Sequence, residues 1–212
     1  VKSYREDLTQ ALGFARDRLR KSHVAPADWT TRLLRAFVAF LHEKGYSKAT
    51  VARRLAAVRS FGKFLCRQGV LKENPAKGLR GPRPDKKLPH FLTLDDVQKL
   101  LVAPSEADWP GRRDRAMLET LYSAGVRVSE LVGLNLLDLE LPDGVVTVRG
   151  KGKKERLALL GPAAVRAVSR WLDDRKALLD RVRKETDAVF LNKDGGRLTT
   201  RSVGRLLAKH LR

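Results

Sequence analysis

The sequence predicts a mainly α-helical chain with one small β-sheet, divided into an N-terminal helical domain and a C-terminal α+β domain. Three observations carry this reading. Apolar residues recur at spacings of three and four through most of the chain, the helical period, whereas short strand-like runs are confined to residues 137–160. Between the two parts lies "GLRGPRPDKKLPHF", residues 78–91, a proline-rich and basic stretch with no usable periodicity, which reads as extended connecting chain. The expected organisation is a helical domain over 1–80, a linker over 81–90 and a second domain over 91–212.

In the first domain, Tyr4, Leu8, Leu12, Ala15 and Leu19 fall on one face of a helix over residues 4–20. A second helix is expected over about 28–44, with Asp28 as its N-cap and Gly45 as its stop. The third begins at Ser47 and runs to about Gln68, with Val51, Leu55, Val58, Phe61 and Leu65 on one side and Gly69 ending it. At roughly 100° per residue, Arg53, Lys63 and Arg67 turn away from that stripe, while Lys48 and Arg59 flank it. This gives the helix one apolar side and one cationic side.

The second domain opens on Thr93, an N-cap with Asp96 three residues on, a capping-box variant with Asp in place of Glu or Gln. Further helices are expected at about 112–124, 127–134 and 162–182, the last with Pro162 near its start. Strands are expected near 137–141, 145–149 and 155–160, the first two joined through the Pro142-Asp143-Gly144 turn. The tail "GGRLTTRSVGRLLAKHLR" reads as a turn and a final helix.

Composition restricts the partner. The chain has 44 Lys and Arg against 24 Asp and Glu, a formal charge of +20, which points to a polyanion. The excess is uneven: residues 1–87 carry 21 basic and 7 acidic side chains, residues 88–212 carry 23 and 17. No apolar run approaches the ~20 residues that span a bilayer, and no lipidation motif is present, so no membrane partner is expected. The lone cysteine, Cys66, excludes an intrachain disulfide framework and suits a reducing cytoplasm. The histidines, His23, His42, His90 and His210, lack metal-ligand spacing, and the P-loop spacing is absent, so neither metal nor cofactor is expected.

Two cations on rigid supports stand out. Arg127, in "LYSAGVRVSELVGL" (121–134), stays charged at any relevant pH and can offer two parallel donors to a phosphate. It sits at the start of a helix, where free amides also favour anions. Glu130 follows on the same helical face and can hold the guanidinium; the alternative is an ordinary surface ion pair. Lys151 lies between Gly150 and Gly152 in "RGKGKKER", a turn between two strand-like runs. There it can neutralise a phosphate or protonate a leaving alkoxide if neighbouring Arg149, Lys153, Lys154 and Arg156 lower its pKa; the alternative is a solvated turn. In the first domain, Lys48, Thr50, Arg53 and Arg59 form a cationic helix face suited to duplex phosphates.

Together, "SKATVARRLAAVRSFGKFL", "GVLKENPAKGLRGPRPDKKLPHFLT", "LYSAGVRVSELVGLNLLDLEL" and "VRGKGKKERLALLG" closely resemble the tyrosine site-specific recombinases of the phage-integrase family, Xer type, from about Tyr4 to the last residue. The resemblance implies a SAM-like core-binding domain followed by a catalytic domain, together a clamp on double-stranded DNA. It implies attack by a tyrosine on a scissile phosphate, giving a 3'-phosphotyrosyl link without metal or nucleotide. Arg127 matches the family's first arginine, Glu130 the acidic residue three positions on, and Lys151 the hairpin lysine that protonates the leaving oxygen. Lys48, Thr50, Arg53, Arg59, Lys153, Lys154 and Arg156 are expected to bind DNA.

The family's second cluster, a His-x-x-Arg box, a further His or Trp and the nucleophilic tyrosine, has no counterpart among these 212 residues. His210 and Arg212 are two apart, not three, and Tyr4, Tyr46 and Tyr122 fall in helical apolar contexts. The chain is therefore expected to be a DNA-binding fragment with a partial catalytic domain, inactive alone; the alternative is a non-catalytic DNA-binding module derived from a recombinase. A generic basic RNA-binding protein is a third reading. Family members act as tetramers on two DNA sites, and a cytoplasmic, nucleoid-associated location is expected.

Overall fold

A computed structural model describes residues 2–83, 91–150, 152 and 154–211. Contacts divide the chain into two compact units, Val1–Pro89 and His90–Arg212. The architecture is mainly α-helical with one three-stranded antiparallel sheet.

In the first unit, helices α1 (Lys2–Leu19), α2 (Thr31–Glu43) and α3 (Lys48–Arg67) pack around a core that includes Ala11, Ala15, Leu34, Phe37, Leu41, Val51 and Leu55. The stripe read from the third helix is its buried face: Val51, Leu55 and Val58 are inaccessible, and Phe61 is partly covered. Phe14 of α1 meets Phe37 and Phe40 of α2 with ring centroids 5.4 and 5.0 Å apart. Full burial, as at Phe37, stabilises the fold by about 1.5–3 kcal/mol, and the partly covered Phe14 and Phe40 contribute less.

The start of α2 differs from the sequence expectation. Thr30, not Asp28, is the N-cap, accepting from the Leu33 amide at 3.2 Å. Asp28 closes a one-turn 3-10 helix, Pro26–Asp28, and its carboxylate accepts from the Ala25 amide and from Lys21 Nζ. Two oxygen-bearing residues two positions apart compete for the role, and Pro26 draws the first into its own turn. The α3 cap is Ser47, as its sequence indicates.

The second unit starts at the Thr93 capping box, with both halves formed: Asp96 N–H to Thr93 Oγ1 at 3.2 Å and Thr93 N–H to Asp96 Oδ2 at 3.0 Å. Helix α4 (Leu94–Val102) leads to α5 (Trp109–Ala124), which starts three residues earlier than expected because Asp108 caps it, accepting from the Gly111 amide. Helix α7 (Pro162–Val182) packs along α5, and Met117, Trp171 and Phe190 are fully buried between the elements. Trp171 Nε1 donates to the Val189 carbonyl at 2.9 Å, so the indole loses no hydrogen bond on burial. Helix α8 (Thr200–His210) closes the unit, with His210 Nε2 3.1 Å from buried Asp114 Oδ2 of α5.

Between α5 and α7 lie α6 (Val128–Gly133) and the strands β1 (Leu139–Glu140), β2 (Val145–Arg149) and β3 (Glu155–Leu159), in the order β1-β2-β3. The expected first strand, 137–141, shrinks to two residues because Leu136–Asp138 form a 3-10 turn. Strand β2 alternates in burial, with Val146 and Val148 inside.

Candidate active site

Arg127 owes its position to two chain reversals. Helix α5 ends at Gly125, whose φ of +55° is a left-handed conformation that side-chain-bearing residues rarely adopt, and α6 begins two residues later with Arg127 as its N-cap. Glu130 then reaches back to the cap: its Oε2 accepts the Arg127 amide at 3.0 Å, and its Oε1 accepts Arg127 Nη1 at 2.8 Å. Of this pair Glu130 is the buried member, its side chain 4% exposed, while the Arg127 side chain is 76% exposed. The guanidinium is thus tethered at one nitrogen and otherwise presented outward. The Arg127 amide serves the fold, being already bonded to Glu130.

The hairpin that carries Lys151 is fixed at its base. Strands β2 and β3 pair with Arg149 opposite Glu155, and Gly150 N–H donates to the Lys154 carbonyl at 2.8 Å. Arg149 locks that base twice, through Glu155 at 2.8 Å and through an ion pair with Asp138, whose side chain is buried. Gly152 has a φ of +81°, which turns the loop. A Cβ on Gly150 would lie 3.4 Å from Glu130 Oε1, so the hairpin backbone passes close to the carboxylate that holds Arg127. Lys151 and Lys153 themselves lie outside the described residues.

Arg127, Ser129, Glu130, Arg149, Gly150, Lys154, Glu155 and Arg156 line one open cleft of about 750 Å³. Its described lining has four cations against two carboxylates, so it favours an anion. Arg156 is turned toward Glu130: its Nη2 lies 3.2 Å from Glu130 Oε2 and 3.5 Å from the Gly125 carbonyl. Three donors therefore converge on one carboxylate, and they hold the Glu130 carboxyl below its ordinary pKa of 4.5. The largest cause is the Arg127 amide, followed by the Arg127 side chain, against the opposing effect of burial. Tyr122, on the last turn of α5, is exposed but is not among the residues lining the cleft.

Sequence reasoning passed over Asp138 and the inward role of Arg156, though both had signals. Asn135 and Asp138 repeat the spacing of Thr93 and Asp96, and Asp138 Oδ2 does accept the Asn135 amide at 2.8 Å. Arg156 pairs with Val148, so the two-residue period of a strand puts it on the face that buries Val146 and Val148.

In the first unit, the four residues proposed for DNA have unequal surroundings. Lys48 and Thr50 are in the first turn of α3, where Thr50 Oγ1 lies 2.9 Å from Ser47 Oγ. Arg53 has a side chain 46% exposed and is anchored by Nη1 to Ser3 Oγ and buried Asp7. Arg59 is half-buried, and donates from Nε to the Ala76 carbonyl at 3.3 Å and from Nη2 to the Leu79 carbonyl. Arg59 ties α3 to the chain that leaves it.

With this geometry in hand, comparisons with known proteins place the whole chain. Residues 90–212 match the profile described as the Phage integrase family, and residues 1–69 match the Phage integrase, N-terminal SAM-like domain. The Tyrosine recombinase XerC of Thermodesulfovibrio yellowstonii is 40% identical over 99% of this chain, which spans 68% of that protein. The Tyrosine recombinase XerC of Pseudomonas aeruginosa PAO1 is 42% identical over 94% of this chain and 64% of its own length. Among solved structures, the Tn1549 transposon integrase in complex with circular intermediate DNA superposes with a TM-score of 0.71 at 21% identity, covering 97% of this chain and 71% of that one. The XerH site-specific recombinase bound to its palindromic difH substrate superposes at 0.69 with 20% identity, covering 96% and 63%. These two likenesses establish a shared fold.

Proposed function

Since the chain belongs to the phage integrase family, we propose that it is the DNA-binding and partial catalytic portion of a tyrosine site-specific recombinase, acting on double-stranded DNA. The observation that carries the reading is the cleft where Arg127, tethered by buried Glu130, faces the base of the Lys151 hairpin. An arginine held at one nitrogen and otherwise presented to solvent is suited to the non-bridging oxygens of a scissile phosphate, whose charge grows in the transition state. Lys151, on a loop whose base is clamped by Arg149, supplies the proton that the leaving 5'-oxygen needs. Lys153 and Lys154, on the same loop, hold flanking phosphates, and Lys48, Thr50 and Arg53 of α3 do so from the first unit. Neither metal nor cofactor enters this scheme.

The covalent step requires a nucleophile, and Tyr122 is not among the residues that line the cleft. The 212 residues alone are expected to bind duplex DNA without cleaving it. Incubation with a nicked suicide duplex tests this: binding should be seen in a mobility-shift assay, with no denaturant-stable protein–DNA adduct. An adduct formed by this chain would contradict the assignment of roles, and preference for RNA over duplex would contradict the DNA reading. In the whole protein, assembly as a tetramer on two sites and a cytoplasmic, nucleoid-associated location belong to the same proposal; among the described residues no helix is long and apolar enough to cross a membrane.

A further inference from the structure

Arg156 is one of a run of basic residues on the hairpin, and its charge alone would make it one more phosphate contact. Its place in the strand argues otherwise. Position 156 falls on the face of β3 that continues the buried side of the sheet, opposite Val148. The side chain lines the cleft, 44% exposed, and its Nη2 lies 3.2 Å from Glu130 Oε2. The same oxygen accepts the Arg127 amide, and the other oxygen of that carboxylate accepts Arg127 Nη1 at 2.8 Å. Glu130 is thus a buried carboxylate shared between the N-cap of its own helix, α6, and Arg156 on a strand of the hairpin, 26 residues further along the chain from Glu130.

We propose that Arg156 is a positioning residue, which acts through Glu130 to keep Arg127 in register with the hairpin that carries Lys151. This rests on the reading of Arg127 as a phosphate ligand given above. Arg127 and Lys151 come from different elements, and a phosphate held by both requires their separation to be fixed to a fraction of an ångström. Arg149 fixes the hairpin to Asp138, but that clamp does not involve α6 residues; the bond from Arg156 to Glu130 does. Without it, Glu130 keeps only its contacts within its own turn, and among the described residues the cap of α6 and the hairpin are held together by core packing, with no hydrogen bond to set their register. The role asks for a donor at the end of a long side chain, so lysine should replace arginine in large part, whereas alanine or glutamine should not.

The test is nuclear magnetic resonance of the 212-residue chain labelled with 15N-arginine, with the Arg127 Nε–H signal assigned by its loss in Arg127→Lys. Inorganic phosphate is the probe. In the native chain, phosphate should shift the Arg127 signal. Arg156→Ala should move that signal in the absence of phosphate and weaken its apparent phosphate affinity roughly five- to tenfold, the size of one ordinary hydrogen bond lost at second hand. Arg156→Lys should restore most of both, and Arg156→Gln, which keeps the bulk, should behave as alanine does. An Arg127 signal and phosphate response unchanged in both Arg156→Ala and Arg156→Gln would overturn the proposal and leave the phosphate reading of the cleft intact. A native Arg127 signal blind to phosphate would instead overturn the phosphate reading; the shift on Arg156→Ala would still decide the coupling. If Arg156→Ala fails to fold, the lysine and glutamine variants decide it.

Discussion

Glu130 takes two oxygens' worth of hydrogen bonds from one cap and one strand, and its ionisation is tied to the folded state. Because its pKa is lowered on folding, the stabilisation is fully present above the ordinary value of 4.5 and is lost as the pH falls through the lower folded value. Melting temperature should therefore drop between about pH 5 and pH 3. In Glu130→Gln that acid-dependent drop should be smaller, because the amide has no proton to gain, while stability at neutral pH should be lower. Thermal melts of both chains across that range check this, and an identical acid profile for the two would show that Glu130 is not linked to folding. The exposed arginine of the pair adds little on its own, as exposed ion pairs generally do; the buried partner is what makes the arrangement specific.

At the scale of the element, α3 shows how a single cationic helix face divides into unlike parts. Arg53 is anchored by one nitrogen and half open to solvent, whereas Arg59 donates to the carbonyls of Ala76 and Leu79 at the chain that leaves the helix. Arg53→Ala should reduce the slope of duplex affinity against salt by about one, and the fold should persist because buried Asp7 keeps Arg54 as a partner at 3.6 Å. Arg59→Ala should cost roughly 1–3 kcal/mol of stability, because part-buried carbonyls lose a charged donor. Salt-titrated binding combined with melts separates the two; an unchanged slope for Arg53→Ala would mean that it touches no phosphate.

The helices and strands of this chain were legible because their signals are local: the stripe of Val51, Leu55 and Val58, the Thr93 box, Pro162 at the start of α7. Asp28 misled because two cap-competent residues, Asp28 and Thr30, stood two positions apart and only Pro26 chose between them. The Arg127–Glu130 pair was legible for the same reason as the helices, being three residues apart on one face. What eluded the sequence was the contact of Arg156 with Glu130 and of Arg149 with Asp138, since the register of β2 with β3 decides which hairpin cation meets which carboxylate.

At the scale of the molecule, the excess of positive charge falls mostly on residues 1–87, and the chemistry proposed for phosphate falls in the second unit. On the function proposed above, the first unit would supply affinity and the second half of an active site, a division that separates binding from cleavage. The most direct measurement is therefore made on an extended form that supplies the His-x-x-Arg box and the tyrosine, with a nicked suicide duplex as substrate. Arg127→Ala should lower the rate of covalent adduct formation by roughly a hundredfold or more, while duplex affinity falls by less than about tenfold. Parallel loss of adduct and affinity would contradict the account and recast Arg127 as a structural residue.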